Sequence, residues 1–235
     1  MGIPERKERE KEARREEILN AAQRVFFQKG VALSTVDDIA QAAELSKGTL
    51  YLYYRSKEEL YLAAANRGMD LMGQMFRDAA ATTDDPIMQI FRIGDAYYRF
   101  FREQRDFFRM FYFYDSPDFH STVSQEMMEQ CRQHDEKVWA VVTAPIRKAI
   151  DEGLMHLELD PLEVGIMLWS NANGFLRLLD RNESYWKDAM GVDLLQTLRK
   201  STALLLEAMM TEKAQRKYAG MILYKDSPVT KEEEE

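Results

Sequence analysis

Apolar residues recur along this chain every three to four positions, and few stretches alternate apolar and polar residues with period two, so the pattern predicts an almost wholly helical fold. No proline interrupts the run between Pro4 and Pro86. A charged start over residues 5–17 leads into Ile18, Leu19, Ala22, Val25 and Phe26, the stripe of an amphipathic helix that stops at Gly30. Ser34-Thr35 followed by Asp37-Asp38 sets a hydroxyl cap and an acidic first turn at the start of a second, short helix. Glu44-Leu45 reads as a turn. Ser46 caps a third helix, Lys47 to Tyr54, and Ser56-Lys57-Glu58-Glu59 has the capping-box form for a fourth, which runs to about Ala81. Thr82–Pro86 and Ser116–Pro117 punctuate the middle of the chain. A long helix is expected from Phe119 to Gly153 with a kink at Pro145, another from Asp160-Pro161 to about Leu179, and a last over 191–217. The tail, Tyr218 to Glu235, is expected to be frayed.

Composition narrows the class. At 235 residues the chain makes one or two domains with a real core. A single cysteine rules out an intramolecular disulfide framework and fits a reducing compartment. No apolar run approaches the ~18 residues of a membrane span, and the start, Met1-Gly2-Ile3-Pro4, leads into charge without the apolar stretch of a secretory signal. The expectation is a soluble, cytoplasmic protein without a membrane partner. A net charge of −8 argues at first against nucleic acid. That charge is unevenly spread, however: residues 1–67 hold 12 Lys and Arg against 11 Asp and Glu, so the acidity lies beyond them.

A longer helix followed by helix, tight turn and helix describes a three-helix DNA-binding unit of helix-turn-helix type. Ile39, Ala40, Ala43, Leu45 and Leu50 are spaced to bury both short helices against Leu19, Val25 and Phe26, and the two alanines allow close approach. Ser46, Lys47, Thr49, Tyr51 and Tyr53 then face outward, where hydroxyls and an ammonium can reach base edges or phosphates. Gly48 lets a nucleotide come against the backbone. Lys57, at the start of the fourth helix, joins a cation to free backbone N–H groups, a combination suited to phosphate. The bland alternative is an ordinary exposed helical hairpin.

The run Ser34-Thr35-Val36-Asp37-Asp38-Ile39-Ala40, with Ser46-Lys47-Gly48-Thr49-Leu50-Tyr51, the aromatic pair Tyr53-Tyr54 and Ser56-Lys57-Glu58-Glu59-Leu60, resembles the N-terminal domain of TetR/AcrR-family transcriptional regulators over about residues 15–62. The resemblance implies that Lys47, Gly48, Thr49 and Tyr51 face bases or the adjacent sugar-phosphate. Thr35, Tyr53 and Lys57 would hold phosphates, with Tyr54 as the aromatic plug of the domain. It departs from the family pattern at Glu44, where a glycine is frequent in the turn, and at Tyr54, where phenylalanine is common. It further implies an all-α protein with a helix-turn-helix domain over 1–62 (1–14 a charged arm), a helical bundle over 63–217 that binds a small molecule and dimerises, and an acidic tail over 218–235.

The remaining candidates are open to more than one reading. Tyr97, Phe101, Phe108, Phe111 and Tyr112, from the aromatic segment Ile87–Tyr114, with Trp139 and Trp169, are candidates to line a pocket for an apolar or aromatic effector. Aromatics at helical spacing are equally the material of a plain core. Gly165, Trp169, Ala172 and Gly174, with Leu198 and Leu205, are candidates for a homodimer interface between helices at about 161–180 and 191–214; an intramolecular packing face is the other reading. Arg92, Arg99, Arg102, Arg105 and Arg109 form a solvated side from which one arginine can anchor a carboxylate. The basic residues of 6–15 are interleaved with glutamates, as in a helix laced with ion pairs or a basic arm on DNA. Cys131 and His134 lack the further ligands of a metal site, and no phosphate loop, nucleophile elbow or His-Glu-x-x-His occurs, so neither a cofactor nor catalysis is expected. The expected function is a ligand-responsive repressor on a palindromic operator. The competing reading is a helical small-molecule-binding or scaffold protein whose helix-turn-helix is vestigial.

Overall fold

The computed structural model describes residues 3–111 and 123–222. Its helices are α1 (Ile3–Lys29), α2 (Val36–Ala42), α3 (Lys47–Tyr51), α4 (Lys57–Ala80), α5 (Pro86–Glu103), α6 (Arg105–Met110), α7 (Gln125–Asp151), α8 (Pro161–Ser184), α9 (Leu194–Met209) and α10 (Glu212–Ile222), with a π-turn over Tyr185–Ala189. Among the described residues the only β-type pairing is one antiparallel bridge, Met155 with Met210. The all-helical reading therefore stands. The expected start of the long helix at Phe119 and most of the tail expected to fray fall outside the described residues. The described residues divide into two compact units, one drawn from 1–74 with 99–138 and the other from 75–98 with 139–235.

In the first unit the expected α1 stripe is the core: Ile18, Leu19, Ala22, Val25 and Phe26 are all buried. Gly30 ends the helix with φ +72°, its N–H returned to the Phe26 carbonyl at 2.9 Å. The charged half of α1 lies exposed and carries its own ion pairs, Arg6–Glu10 at 2.7 Å and Arg14–Glu17 at 2.6 Å. Arg67 of α4 reaches back to Glu16, Asn20 and Gln23 of α1. Aromatic edges lock the centre: Phe26 meets Tyr61 at 5.7 Å and Phe27 meets Phe107 at 5.1 Å, both T-shaped. The second contact exists because Gly68 has no side chain, since a Cβ there would sit 2.7 Å from Phe107 Cδ1.

The second unit centres on Ile87, Ile146, Ile150, Val164, Leu206 and Met209. Here the single helix expected over 191–217 is two, because the chain pairs with a neighbour at the break. Thr211 N–H donates to Leu154 O and His156 N–H to Met209 O, both at 3.1 Å, and these bonds replace helical ones. α8 starts as expected, with Asp160 accepting from the Leu162 and Glu163 amides and Pro161 in the first turn. It runs past Leu179 until Asn182 leaves helical geometry. α7 continues through Pro145 as one helix.

Asp85 is the staple of this unit. Its Oδ1 accepts from the Ile87 and Met88 amides at 3.1 Å, capping α5. Its Oδ2 accepts from Tyr218 Oη at 2.6 Å and Lys217 Nζ at 2.9 Å, which fastens α10 to the start of α5. Burial by itself would raise this carboxyl; the Tyr218, Lys217 and Met88 donors outweigh it and hold the pKa below the ordinary aspartate value. Because the folded value is the lower one, the contribution is full above the unfolded value of ~4 and is lost as pH falls through the folded value. Asp85→Ala is expected to cost about 1–2 kcal/mol at neutral pH. Urea titrations of both proteins should show that gap closing below pH ~4.

Candidate nucleic-acid interface

The candidate interface is built from two very short helices, and each has its cap. Thr35 Oγ1 accepts the Asp38 amide at 3.1 Å while Asp38 Oδ2 accepts the Thr35 amide at 3.0 Å, a reciprocal capping box at α2. Lys29 Nζ joins Asp38 at 2.7 Å, and this ammonium, with Thr35, pulls the carboxyl pKa down to about 2. Ser46 Oγ accepts the Thr49 amide at 3.0 Å and caps α3. Ile39, Ala40 and Leu50 are buried, as their spacing required.

Between the helices Glu44 adopts the left-handed conformation itself, φ +55°, as the only non-glycine with positive φ among the described residues. The turn keeps the geometry that glycine would supply, and the glutamate bears the strain.

α3 ends at Tyr51, earlier than the expected Tyr54, because Tyr53 and Tyr54 both return their N–H groups to Leu50 O in a tight turn, at 3.0 and 3.2 Å. Ser46, Lys47, Gly48 and Tyr51 are exposed, and Thr49 and Tyr53 half-buried, while Thr35 lies exposed at the start of α2. Lys47 Nζ lies 3.1 Å from Asp37 Oδ2, an exposed pair that contributes roughly 0–1 kcal/mol and yields readily to another anion. A Cβ on Gly48 would meet only Ser46 Oγ, at 3.8 Å, so nothing inside the chain requires glycine there. Tyr54 is the buried plug. Arg15 lies over its ring at 5.3 Å, and burial, foremost, raises its phenol pKa.

Lys57 is not simply presented to solvent. Its ammonium donates to Val31 O at 3.1 Å and Ser34 O at 3.0 Å, which ties the start of α4 to the α1–α2 connection. Leu52, 80% exposed, and Leu33, 78% exposed, stand beside these residues, and neither is among those expected from spacing. Leu52 was legible: two residues on from buried Leu50, it sits roughly 200° around the helix.

The candidate pocket residues fall into two groups. In the first unit Phe101 and Phe108 are buried against each other at 4.8 Å, and Phe111 stacks on Phe100 at 5.8 Å. In the second, Trp139 meets Trp169 at 6.3 Å, and buried Tyr97 donates to Asn173 Oδ1 at 3.1 Å. Tyr112 lies outside the described residues. A shallow depression of about 560 Å³ in the second unit, lined by Ile150, Met155, His156, Leu157 and Thr211 among others, borders none of these aromatics. Arg99 pairs with Glu103 at 3.8 Å, and Arg105 lies over Phe101 at 5.0 Å. Cys131 is buried, and His134 Nδ1 is 2.7 Å from Asp70 Oδ1. Among the described residues no three His, Cys, Asp or Glu side chains cluster as metal ligands.

The candidate interface residues on α8 and α9 also divide. Gly165 is buried beneath Trp139 and Val142, where a Cβ would come within 3.2 and 3.3 Å, so its smallness is used inside the chain. Leu198 is likewise part of the interior. Gly174 is exposed with nothing near it, Ala172 and Leu205 are half-buried, and Trp169 is exposed. Also exposed on α8 and α9 are Ile166, which stands in the expected 161–180 segment, and Leu162, Met167 and Leu204, which spacing does not single out. Asn171 donates to Thr202 Oγ1 at 3.0 Å and holds the two helices together.

Against known proteins, the family model for bacterial regulatory proteins of the tetR family matches residues 18–64. The HTH-type transcriptional activator FasR of Mycolicibacterium smegmatis is 32% identical over 102 residues, 43% of this chain and 47% of that protein. The HTH-type transcriptional repressor KstR2 of Mycobacterium tuberculosis is 32% identical over 78 residues, 33% of this chain and 39% of that one. The chain thus spans less than half the length of each of these curated relatives. The crystal structure of the regulator FadR from Bacillus subtilis, in complex with stearoyl-CoA, superposes with a TM-score of 0.63 at 15% identity, covering 82% of this chain and 98% of that one. At that identity the likeness speaks for the fold.

Replacing Glu44 by glycine should relieve the left-handed strain at a smaller entropic cost. We expect Glu44→Gly to stabilise the protein by roughly 0.5–1 kcal/mol, read from the urea midpoint. An unchanged or lower midpoint would show the turn to be unstrained.

Proposed function

We propose that this chain, whose residues 18–64 match the family model for bacterial regulatory proteins of the tetR family, is a dimeric repressor that reads a palindromic operator and is released from it by a small apolar or aromatic effector. The observation that carries the reading is the exposed row Ser46, Lys47, Gly48 and Tyr51, on a capped helix whose opposite side is buried through Leu50. Lys47 and Tyr51 reach base edges or adjacent sugars in the major groove, and Gly48 lets the backbone approach. Thr35, Tyr53 and the remaining N–H of Lys57 hold phosphates. A near-neutral residue 1–67 segment leaves specificity to these few contacts rather than to a broad positive field.

Two copies would join through the exposed apolar residues of α8 and α9 and set their recognition helices one groove repeat apart, ~34–36 Å. The abundance of buried Phe, Tyr and Met suits an effector with an acyl or aromatic body, and the stearoyl-CoA bound by FadR is one such molecule. Effector binding would shift α4, which begins at Lys57, and with it the separation of the recognition helices. The protein acts on DNA in the cytoplasm; no helix among the described residues is long and apolar enough to cross a membrane. Its relatives are transcriptional regulators, and the reading needs no catalytic step or cofactor.

Selection from random duplexes should enrich a palindrome, and candidate acyl thioesters or aromatics should abolish its retention. No enrichment would leave only a ligand-binding protein with an idle helix-turn-helix. On the selected duplex Tyr51→Ala should lose more affinity than on unrelated DNA, by about 1–3 kcal/mol. Lys57→Ala should lower the salt slope by about 1 on every duplex. Leu204, 66% exposed on α9, tests the dimer: Leu204→Glu should sediment as a monomer and lose the palindrome while keeping its helical content.

A further inference from the structure

Among the described residues Glu59 is the only buried charged side chain. As the fourth residue of Ser56-Lys57-Glu58-Glu59 it should turn back to the Ser56 amide and close a capping box. The Glu59 amide donates to Ser56 Oγ at 3.1 Å, which caps the start of α4. The carboxylate also reaches beyond its own helix. Its Oε2 accepts the Arg55 amide at 2.8 Å, in the turn that follows α3, and its Oε1 accepts the Ser124 amide at 3.2 Å. Ser124 is itself the cap of α7, with its Oγ accepting the Met127 amide at 3.3 Å and its carbonyl the Met128 amide at 3.1 Å. One carboxylate thus spans from the end of the recognition helix to the start of a helix 65 residues further along the chain.

Burial alone would raise the pKa of this group; the Ser124 hydroxyl and the Arg55 and Ser124 amides outweigh it and keep it ionised. A buried carboxylate cannot cheaply give up one of two donors, because the freed oxygen has no water to take its place. The Arg55 turn and the start of α7 therefore behave as one body. The helix dipole at the start of α7 favours the same negative charge.

We propose that Glu59 is a positioning residue for DNA reading: it couples the start of α7 to the turn after α3, so that a shift of α7 reorients Ser46 to Tyr51 towards or away from the groove. The inference rests on the DNA-binding reading above. It adds the contact through which that reading is regulated, distinct from a displacement of α4 as a whole.

The test uses the full chain in two variants. Glu59→Gln keeps the size and one accepting oxygen but presents an NH₂ to one of the two amides, so one branch must open. Ser124→Pro deletes the other partner's N–H and hydroxyl and leaves Glu59 intact; because it also removes the cap of α7, its decisive exchange readout is at residues 52–56. Hydrogen exchange followed by mass spectrometry reads both ends, residues 52–56 and 123–128, and binding is measured on the selected palindrome and on an unrelated duplex. Both variants should speed exchange roughly tenfold at both ends together. Both should also lower the ratio of palindrome to unrelated-duplex affinity at least about fivefold. A purely structural role would reduce both affinities alike and leave the ratio unchanged, which would overturn the proposal. So would faster exchange confined to one end. If the unmodified protein itself shows no preference for any duplex, the DNA-binding reading fails, whereas a preserved preference that Glu59→Gln and Ser124→Pro leave untouched defeats the coupling alone.

Discussion

A five-residue helix cannot stand by its own hydrogen bonds, and the rest of the first unit is arranged around that constraint. α3 makes too few helical bonds to offset nucleation, so its existence depends on what surrounds it. Ser46 satisfies its first amides, Leu50 anchors its inner side, and the Tyr53 and Tyr54 amides close its end on a single carbonyl. The first turn of α4 then holds the two flanking connections, Lys57 through the carbonyls of Val31 and Ser34, and Glu59 through the amides of Arg55 and Ser124. Of the outward residues, Ser46 caps the helix and Lys47 makes only a weak exposed pair with Asp37, while Gly48 and Tyr51 stay exposed. That division between an inner face that holds the helix and a largely exposed outer face is what makes the segment read as a recognition element.

The same economy of polar groups governs the second unit. Asp85 satisfies two amides of α5 and two side chains of α10 with one carboxylate, so four donors meet where otherwise two elements would end unsatisfied. The Leu154–His156 strap takes up backbone groups at Met209 and Thr211, which splits α9 from α10. In both units the decisive polar contacts are made by residues far apart in sequence. They lie where a helix begins or ends.

Apolar surface tells the complementary story. Aromatic residues of the middle segment pair with one another, Phe101 with Phe108 and Phe100 with Phe111, and contribute to the interior whatever else they do. On α8 and α9, Leu162, Ile166, Met167, Trp169 and Leu204 remain exposed. The glycines divide by the same logic. Gly68 and Gly165 are small because Phe107 and Trp139 need the room, while among the described residues Gly48 and Gly174 have no crowding neighbour.

The sequence by itself determined the helical class, the caps at Thr35, Ser46 and Asp160, the α1 stripe and the run of residues that the tetR family model matches. Those are local properties, written in periodicity and in side chains that bond within a few positions of themselves. It did not determine that Glu44 would take the left-handed turn, that α3 would stop at Tyr51, or that Leu198 and Gly165 would face inward. Nor could it direct the Glu59 carboxylate to Ser124, or the Lys57 ammonium to Val31 and Ser34. Only the tertiary structure decided these, because a helical period specifies which side chains share a face and not which distant backbone group that face will meet.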